Sequence, residues 1–473
     1  MSDDGGRDCG GTTRVTQAYR IALEPTAAQQ AMLRSHCGAQ RFAYNTGLAR
    51  IRANLSQRHA EASYGLTEEH LTPLVGWSGY DLRRWFNSVK DTLAPWWAEN
   101  SKEAYSSGFA HLATGLTNFR TSKKGTRKGP KVGFPTFKHK HGKQSVTFTT
   151  GAIGLVNTDS RHIKLPRIGA IRTAESTRKL ARRVRNGTAS IGSATVSCTG
   201  GRWFVSFVVT VQRRIHAPHF PDAVVGVDLG VKNLAVLSTG EMIPAAKHYR
   251  QAQKRRRKAA RKLARRRGPA RGARPSNRWQ RARAELAKAE ARVANQRRDG
   301  LHKLTSHLVR EFGTIVIEDL NVAGMVRNRC LAKSIHDGGF GEFRRQLTYK
   351  STWYGVRLVV ADRFCPSSKT CSRCRSVKAK LGLRERVFRC EVCGLVLDRD
   401  LNAARNLAAL AVSAVGPRAS SASCVATVNV PAGNRVRRAP ARSGTATGRP
   451  APSGAGQPGR SNPTGQDTGR HIS

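Results

Sequence analysis

The sequence predicts a multidomain protein in which an α/β domain is joined to an antiparallel β-domain. Short apolar runs that end in acids, with a long helical stretch between them, read as strands of an α/β sheet. Upstream, segments of strict alternation read as half-buried antiparallel strands. Two C-x2-C pairs near the C-terminal end set off a small metal-stapled insertion. At 473 residues the chain is long enough for two to four domains with cores of their own.

The elements follow in order. MSDDGGRDCGG has no apolar stretch of the kind a signal peptide needs, and residues 1–14 read as disordered. VTQAYRIAL (15–23) alternates as a strand. Thr26 followed by Gln29 makes a capping box, and Met32, Leu33, Phe42, Leu48 and Ile51 suit helical faces, so 15–49 reads as a strand with a helix-turn-helix-like part. Residues 50–116 read as a helical insertion whose Trp77, Trp85, Trp96 and Trp97 belong to a core. Residues 117–144 are rich in Lys, Arg, Gly and Pro, with Phe119, Phe134 and Phe137 between the charges. They read as loop: a solvated one, or an arm lying on a nucleic-acid backbone. SVTFTT, HIKLP, ASIGSATVSC and RWFVSFVVTV then complete a small, barrel-like β-domain over 117–216.

The α/β domain opens at 217 and runs to 364. It holds a basic helical segment, 249–310, in which Arg250 to Arg274 contribute 13 Lys or Arg and no acid. Such a run contacts an anion or frays. Leu286, Val293, Leu301, Leu304 and Leu308 form a helical stripe leading into TIVIEDL. A cysteine-bearing insertion spans 365–396, and 397–414 closes the domain with a helix. From 415 to 473 the composition falls to Pro, Gly, Ser, Ala, Arg and Thr and reads as a disordered tail. There are no internal repeats.

Lys and Arg number 83 against 30 Asp and Glu, a formal charge of +53. An excess of that size repels itself unless a polyanion neutralises it, and nucleic acid is the expected partner. A membrane partner is not expected, because no apolar stretch is long enough to span a bilayer and no lipidation motif is present. An intracellular location follows, in which the ten cysteines are metal ligands or lone thiols rather than disulfides. Cys9, Cys37, Cys198, Cys330 and Cys424 are scattered, and Cys365 stands six residues before Cys371, outside the ligand spacing.

Three carboxylates stand out. Asp228 ends the apolar strand of AVVGVDLG, Glu318 ends that of TIVIEDLN, and Asp400 heads the helix LNAARNLAALAV, with Asp398 two residues earlier. Alternation puts Thr314, Val316 and Glu318 on one face and Ile315, Ile317 and Asp319 on the other. Each acid by itself is more simply a turn or helix cap. Together, two strand ends and a late helix start match the layout of an RNase H-like site. In such a site two divalent ions activate water and stabilise the leaving oxygen of a phosphodiester. Oxygen ligands favour Mg²⁺ or Mn²⁺. Cys371, Cys374, Cys390 and Cys393, spaced C-x2-C-x15-C-x2-C, read as a closed structural Zn²⁺ site. Candidate nucleic-acid contacts are Lys123, Lys124, Lys138, Lys140, Arg255, Arg256, Arg257 and Lys258.

These stretches, with YRIALEPTAAQQAMLRSHCGAQRFAYNTGL, RRDGLHKLTSHLV, PSSKTCSRC, CEVCG and DRDLNAARNLA, run from about residue 15 to 410 and resemble the TnpB family. These are OrfB-type insertion-sequence proteins related to type V CRISPR effectors. The resemblance implies an RNA-guided DNA endonuclease with a RuvC-like domain. It implies a guide RNA encoded near the transposon end, a short motif recognised in double-stranded target DNA, and a bacterial cytoplasmic, nucleoid-associated setting. It places the catalytic acids at Asp228, Glu318 and Asp400, with Asp398 in support, and the zinc ligands at the four cysteines. Residues 15–212 become a wedge β-domain with an inserted recognition helical domain. Two alternatives stand beside it: a guided DNA-binding regulator that does not cut, and an accessory transposase. The clustered acids count against the first, and the lack of an HUH arrangement against the second. The guide, the motif, the cut positions and the oligomeric state are not legible.

Overall fold

The structure, a computed structural model, describes residues 12–140, 142–149, 153–156, 159–270, 273–382, 385–413 and 425–429. The first strand, β1 (Thr12–Leu23), begins inside the segment expected to be disordered; the rest of that expectation, residues 1–11, lies outside the described residues. The capping box then starts α1 (Ala27–Ser63): Thr26 Oγ1 accepts the Gln29 amide at 3.3 Å, and Gln29 Oε1 accepts the Thr26 amide at 3.1 Å. This helix is continuous, so the helix-turn-helix-like part expected to close at residue 49 does not end there. One of its two interior glycines, Gly47, serves packing rather than a turn: a Cβ there would stand 3.0 Å from Leu112 Cδ2.

Helices α2 (Gly79–Leu93) and α3 (Lys102–Lys123) pack with α1. A Cβ on Gly108 would lie 2.4 Å from the Gln40 carbonyl, so glycine lets α3 approach the α1 backbone. Residues 117–123, expected as loop, continue α3 because no breaker intervenes before Gly125, which takes φ +71°.

The β-domain follows as β2 (Ser145–Phe148), β3 (Gly154–Leu155), β4 (His162–Leu165), β5 (Gly169–Arg172), helix α4 (Arg178–Arg185), β6 (Ala189–Thr199) and β7 (Arg202–Arg214). Its strands make two antiparallel sheets, β1-β7-β6-β2 and β3-β4-β5, bridged at Leu23 and Thr173. Gly200 and Gly201, at φ +60° and +77°, form the tight turn of the β6–β7 hairpin, as its right-handed twist demands. Leu33, Phe109, Phe148, Ile171 and Phe207 belong to one core. The helices and both sheets therefore share an interior and do not form separate units.

The second half begins with β8 (Phe220–Asp228), β9 (Asn233–Leu237) and β10 (Met242–Pro244). A helical hairpin follows, α5 (His248–Ala264) and α6 (Asn277–Glu311). Then come β11 (Phe312–Glu318), the short α7 (Val322–Arg327) and α8 (Ala332–Gly338), α9 (Phe340–Tyr354) and β12 (Arg357–Ala361). A hairpin of β13 (Val387–Arg389) and β14 (Val396–Asp398) leads directly into α10 (Arg399–Ser413). Within α5 the basic run is helical and meets anions, one of the two outcomes expected of it. Acids on α6 hold it, with Arg256 on Glu290 at 2.9 Å and Lys262 on Glu285 at 2.7 Å.

The sheet order is β10-β9-β8-β11-β12-β15, with β8, β11 and β12 parallel. The last strand, β15 (Val425–Asn429), falls in the segment expected to be a structureless tail. It pairs antiparallel with β12, Val428 opposite Val359, and covers a sheet edge with β-forming Val and Thr. The remaining tail, 415–424 and 430–473, lies outside the described residues. Alternation divides the sheet's two faces. Val225, Val227, Ile315 and Ile317 pack on Leu304 and Leu308 of α6 and Phe343 and Leu347 of α9. Val316 and Val359 pack on Leu407 and Ala411 of α10. Among the described residues no helix is long and apolar enough to cross a membrane.

Candidate active site and thiolate cluster

The register of the sheet brings the first two acids together. Ile317 pairs with Val227 across the parallel β11 and β8, so Glu318 and Asp228 are the next residues level with each other at the carboxyl ends. Neighbouring strands lie about 4.8 Å apart. Both acids share the face of Gly226 and Val316, which α10 covers. Gly226 sets the helix height: a Cβ there would meet the Ala404 carbonyl at 2.0 Å and the Ala408 amide nitrogen at 2.5 Å. Asp400, in the first turn of that helix, is carried over the strand ends.

The neighbouring acids have other work. Asp398 Oδ1 accepts the amides of Asp400 (2.9 Å) and Leu401 (3.2 Å), which makes it the helix cap and leaves the Asp400 side chain uncommitted to that role. Asp319 points the opposite way from Glu318, to Arg344 and to Arg363 at 2.7 Å.

Asp228 is 9% exposed. Burial, then the facing carboxylates of Glu318 and Asp400, push its carboxyl well above the ordinary range. Burial also raises Glu318, against a hydrogen bond from the Ser367 hydroxyl, and Asp400 adds to the rise. Arg399 opposes the rise at Asp228, and its Nε lies 3.4 Å from Asp400 Oδ1. Among the described residues, the oxygens of the three acids do not all fall within 4.8 Å of one another. The trio is therefore wider than a cage for one ion, yet Asp228 feels the charge of both other acids and Glu318 that of Asp400. Partly uncompensated buried carboxylates at one end of a sheet are the donor set that hard divalent ions neutralise.

The four cysteines do converge. Their sulfurs lie within 4.8 Å of one another, with Cys371 to Cys393 at 3.6 Å and Cys374 to Cys390 at 3.5 Å. Tetrahedral zinc with bonds of about 2.3 Å needs sulfurs about 3.8 Å apart, so the set fits that ion. The two knuckles match in their backbone. Arg375 donates to the Cys371 carbonyl at 3.0 Å and Gly394 to that of Cys390 at 3.1 Å, with φ of +66° and +68°. The Ser376 hydroxyl and the amides of Cys393 and Val392 hold the Cys390 thiol down to about 6. Cys365 is not in the cluster.

The basic candidates separate into two groups. Lys123, Lys124, Lys140, Arg255, Arg257 and Lys258 are exposed. Lys138 is half-buried with Nζ 3.8 Å from the Tyr44 ring centre, and burial lowers its pKa. Arg256 is tied to Glu290 and, at 2.6 Å, to the Tyr249 hydroxyl. Phe119 and Phe134 pack edge to face at 5.2 Å instead of standing free to stack on bases, whereas Phe137 stays exposed.

Sequence reasoning missed Gly226, Ser367, Asn402 and Asn406. The signal for the last two was present: amides four residues apart on an otherwise apolar helix face.

Acids gathered where parallel strands end beneath a helix, with a four-thiolate knuckle at the head of that helix, define a multidomain α/β protein carrying two distinct metal-competent sites. Residues 206–329 match the OrfB-type family described as "Probable transposase", residues 340–407 match a "Cas12f1-like, TNB domain", and residues 13–60 match an OrfB-type "Helix-turn-helix domain". A Mycobacterium tuberculosis protein named "Putative RNA-guided DNA endonuclease Rv2885c" is 37% identical over 83% of this chain and 86% of its own length. Relatives of the same description from Streptomyces pristinaespiralis and Escherichia coli K12 are 35% and 29% identical, covering 85% and 83% of this chain and 92% of each relative. A solved Cas12f1–sgRNA–target DNA complex has a TM-score of 0.48 at 14% identity, over 84% of this chain and 99% of that one. The chain belongs to the OrfB-type TnpB family of insertion-sequence proteins.

Proposed function

We propose that this protein is an RNA-guided DNA endonuclease that hydrolyses phosphodiester bonds at Asp228, Glu318 and Asp400. The observation that carries the proposal is the convergence of these acids, from residues 172 positions apart in sequence, on one end of one sheet. Relatives bearing that name across most of the chain support it. The strand order β10-β9-β8-β11-β12, with acids closing β8 and β11, supports an RNase H-like, RuvC-type reading of the nuclease domain. The residues up to β7 then form the wedge with its recognition helices.

Asp228 and Glu318 would hold the metal between the strand ends, with Asp400 facing them from the helix. Mg²⁺ or Mn²⁺, when bound, supplies an activated water and the charge that stabilises the leaving oxygen. Arg399 offsets part of the acids' charge, and Asp319 stays out of the site in its arginine pairs. The cysteines would hold Zn²⁺ in closed coordination, which leaves it no catalytic position. Sequence specificity is delegated to an RNA encoded near the transposon end, and the protein holds backbone phosphates. Exposed Lys258, Arg261, Arg265 and Arg266, beside Lys262, line a groove of about 520 Å³ at the C-terminal end of α5 and just beyond it, suited to that work.

The test is cleavage by the full chain loaded with its copurifying RNA on DNA carrying a matching target. Cutting is expected only with Mg²⁺ or Mn²⁺, and Asp228→Ala or Glu318→Ala should abolish it. Retained cutting by either variant overturns the site. Binding without cutting by the unaltered protein favours a guided regulator.

A further inference from the structure

The loop between β12 and the first zinc knuckle joins the two metal-competent sites. We infer that Pro366–Arg375 is a positioning strap, in which Ser367 aims the Glu318 carboxylate while Asn402 and Asn406 of α10 clamp the strap to the helix that carries Asp400. The inference rests on the reading of the acids as a divalent-metal site and deepens it.

Ser367 is 4% exposed and its hydroxyl donates to Glu318 Oε1. A donor on one oxygen fixes the carboxylate's rotation about its last bond, the freedom a metal ligand must give up. The strap's backbone is held from α10. Asn406 Nδ2 donates to the carbonyls of Ser367 at 2.8 Å and Thr370 at 2.6 Å. Asn402 Nδ2 donates to Thr370 at 2.7 Å, and its Oδ1 accepts the Ser372 amide at 2.9 Å. Arg375 completes the set on Asn406 Oδ1 at 3.2 Å.

Asn402 is fully buried and Asn406 is 5% exposed. A leucine at either position would pack without specifying anything. A buried amide with both ends engaged admits one arrangement only, because any slip strands polar groups in the interior. The strap is thus fixed at one end by the first knuckle, through Cys371 and Cys374, and along its length by α10. Glu318, Asp400 and the thiolate cluster move as one body. Arg375 stands in the left-handed region, where the matching position of the second knuckle has glycine. Its side chain reaches Asn406, which explains an arginine at a position whose backbone prefers glycine.

The experiment measures Mn²⁺ binding by calorimetry on the full-length chain freed of nucleic acid, together with zinc content and melting temperature. Ser367→Ala is expected to weaken Mn²⁺ roughly tenfold or more, the loss typical when a metal ligand's supporting hydrogen bond is removed, with zinc content unchanged. Ser367→Thr, which keeps the hydroxyl, should restore most of the affinity. Asn406→Ala should weaken Mn²⁺ by relaxing the strap. If Ser367→Ala binds Mn²⁺ within about twofold of the unaltered protein while Glu318→Gln loses it, the strap inference is overturned and the site reading stands. If Glu318→Gln also binds normally, both fall. If Ser367→Ala does not fold, Ser367→Thr decides: affinity near that of the unaltered protein supports the inference, and a tenfold loss overturns it.

Discussion

Gly226→Ala separates the placement of Asp400 from its chemistry. The added Cβ would lie 2.0 Å from the Ala404 carbonyl oxygen and 2.5 Å from the Ala408 nitrogen. Both are helix backbone, so no flexible side chain can swing aside. Ordinary contact begins at 3.4 Å. The helix must therefore rise by about 1.4 Å at Ala404 and about 0.9 Å at Ala408. Asp400 lies one turn before Ala404 on the same rigid element, so it shifts by roughly 1 Å. A displacement of that size at a reacting centre can cost about 100-fold in rate. Overpacking costs about 1–3 kcal/mol, which for domains of this size moves melting by a few degrees. The assay is single-turnover cleavage by RNA-loaded protein at saturating Mg²⁺, with target binding measured in parallel. Expected are a loss near 100-fold in the cleavage rate, near-normal binding and a modestly lowered Tm. Gly300→Ala, in open space on α6, is the control and should cut normally. Cleavage by Gly226→Ala within threefold of the unaltered protein, with native melting, would refute the claim that this helix contact sets the acid geometry.

Other outcomes follow from the same geometry. The folded state raises the Asp228 pKa, so it keeps a proton that the unfolded chain begins to release near pH 4. Metal-free stability should therefore fall as pH rises from that point toward the folded pKa; at pH 7.5 Asp228→Asn should melt higher than the unaltered metal-free protein and gain less from Mg²⁺, which a melting series with and without Mg²⁺ checks. Cys390→Ser should lose zinc by elemental analysis and, through the strap, weaken Mn²⁺ binding as well. Asp398→Ala should cost about 1 kcal/mol by denaturant melts through loss of the α10 cap. Arg255→Ala and Arg257→Ala should weaken nucleic-acid binding and flatten its salt dependence by about one unit each, while Lys138→Ala and Arg256→Ala should act mainly on stability, because those two cations are already engaged within the fold.

What was legible in the sequence followed from local rules. The capping box at Thr26, the strands ending at Asp228 and Glu318, the stripe into TIVIEDL and the cysteine spacing each rest on periodicity or spacing within a short window, and the structure bears each out. Alternation even sorted Glu318 from Asp319, because opposite sheet faces meet opposite partners, α10 on one side and the arginines on the other. The errors arose where composition stood in for context. Arg250–Arg274 is not among them: the run is expected to contact an anion or fray, and Arg256 and Lys262 meet Glu290 and Glu285 of α6. Residues 117–123 looked like loop by charge, yet nothing in them stops a helix before Gly125. Val425–Asn429 sits in a tail of turn-forming residues and is a strand only because β12 offers an edge.

The strap lay beyond any window. Ser367 and Glu318 are 49 residues apart, and Asn406 and Ser367 39. Neither pair has a period or a motif that links them, and each exists only once the sheet and helix have closed. The same closure explains why a thiolate knuckle sits beside the acids. A loop of small polar residues has too little apolar surface to fix its own shape to the tolerance a metal ligand requires. Four thiolates at one end and two buried amides along its length supply that stiffness, and Ser367 passes it to Glu318 through a single hydrogen bond.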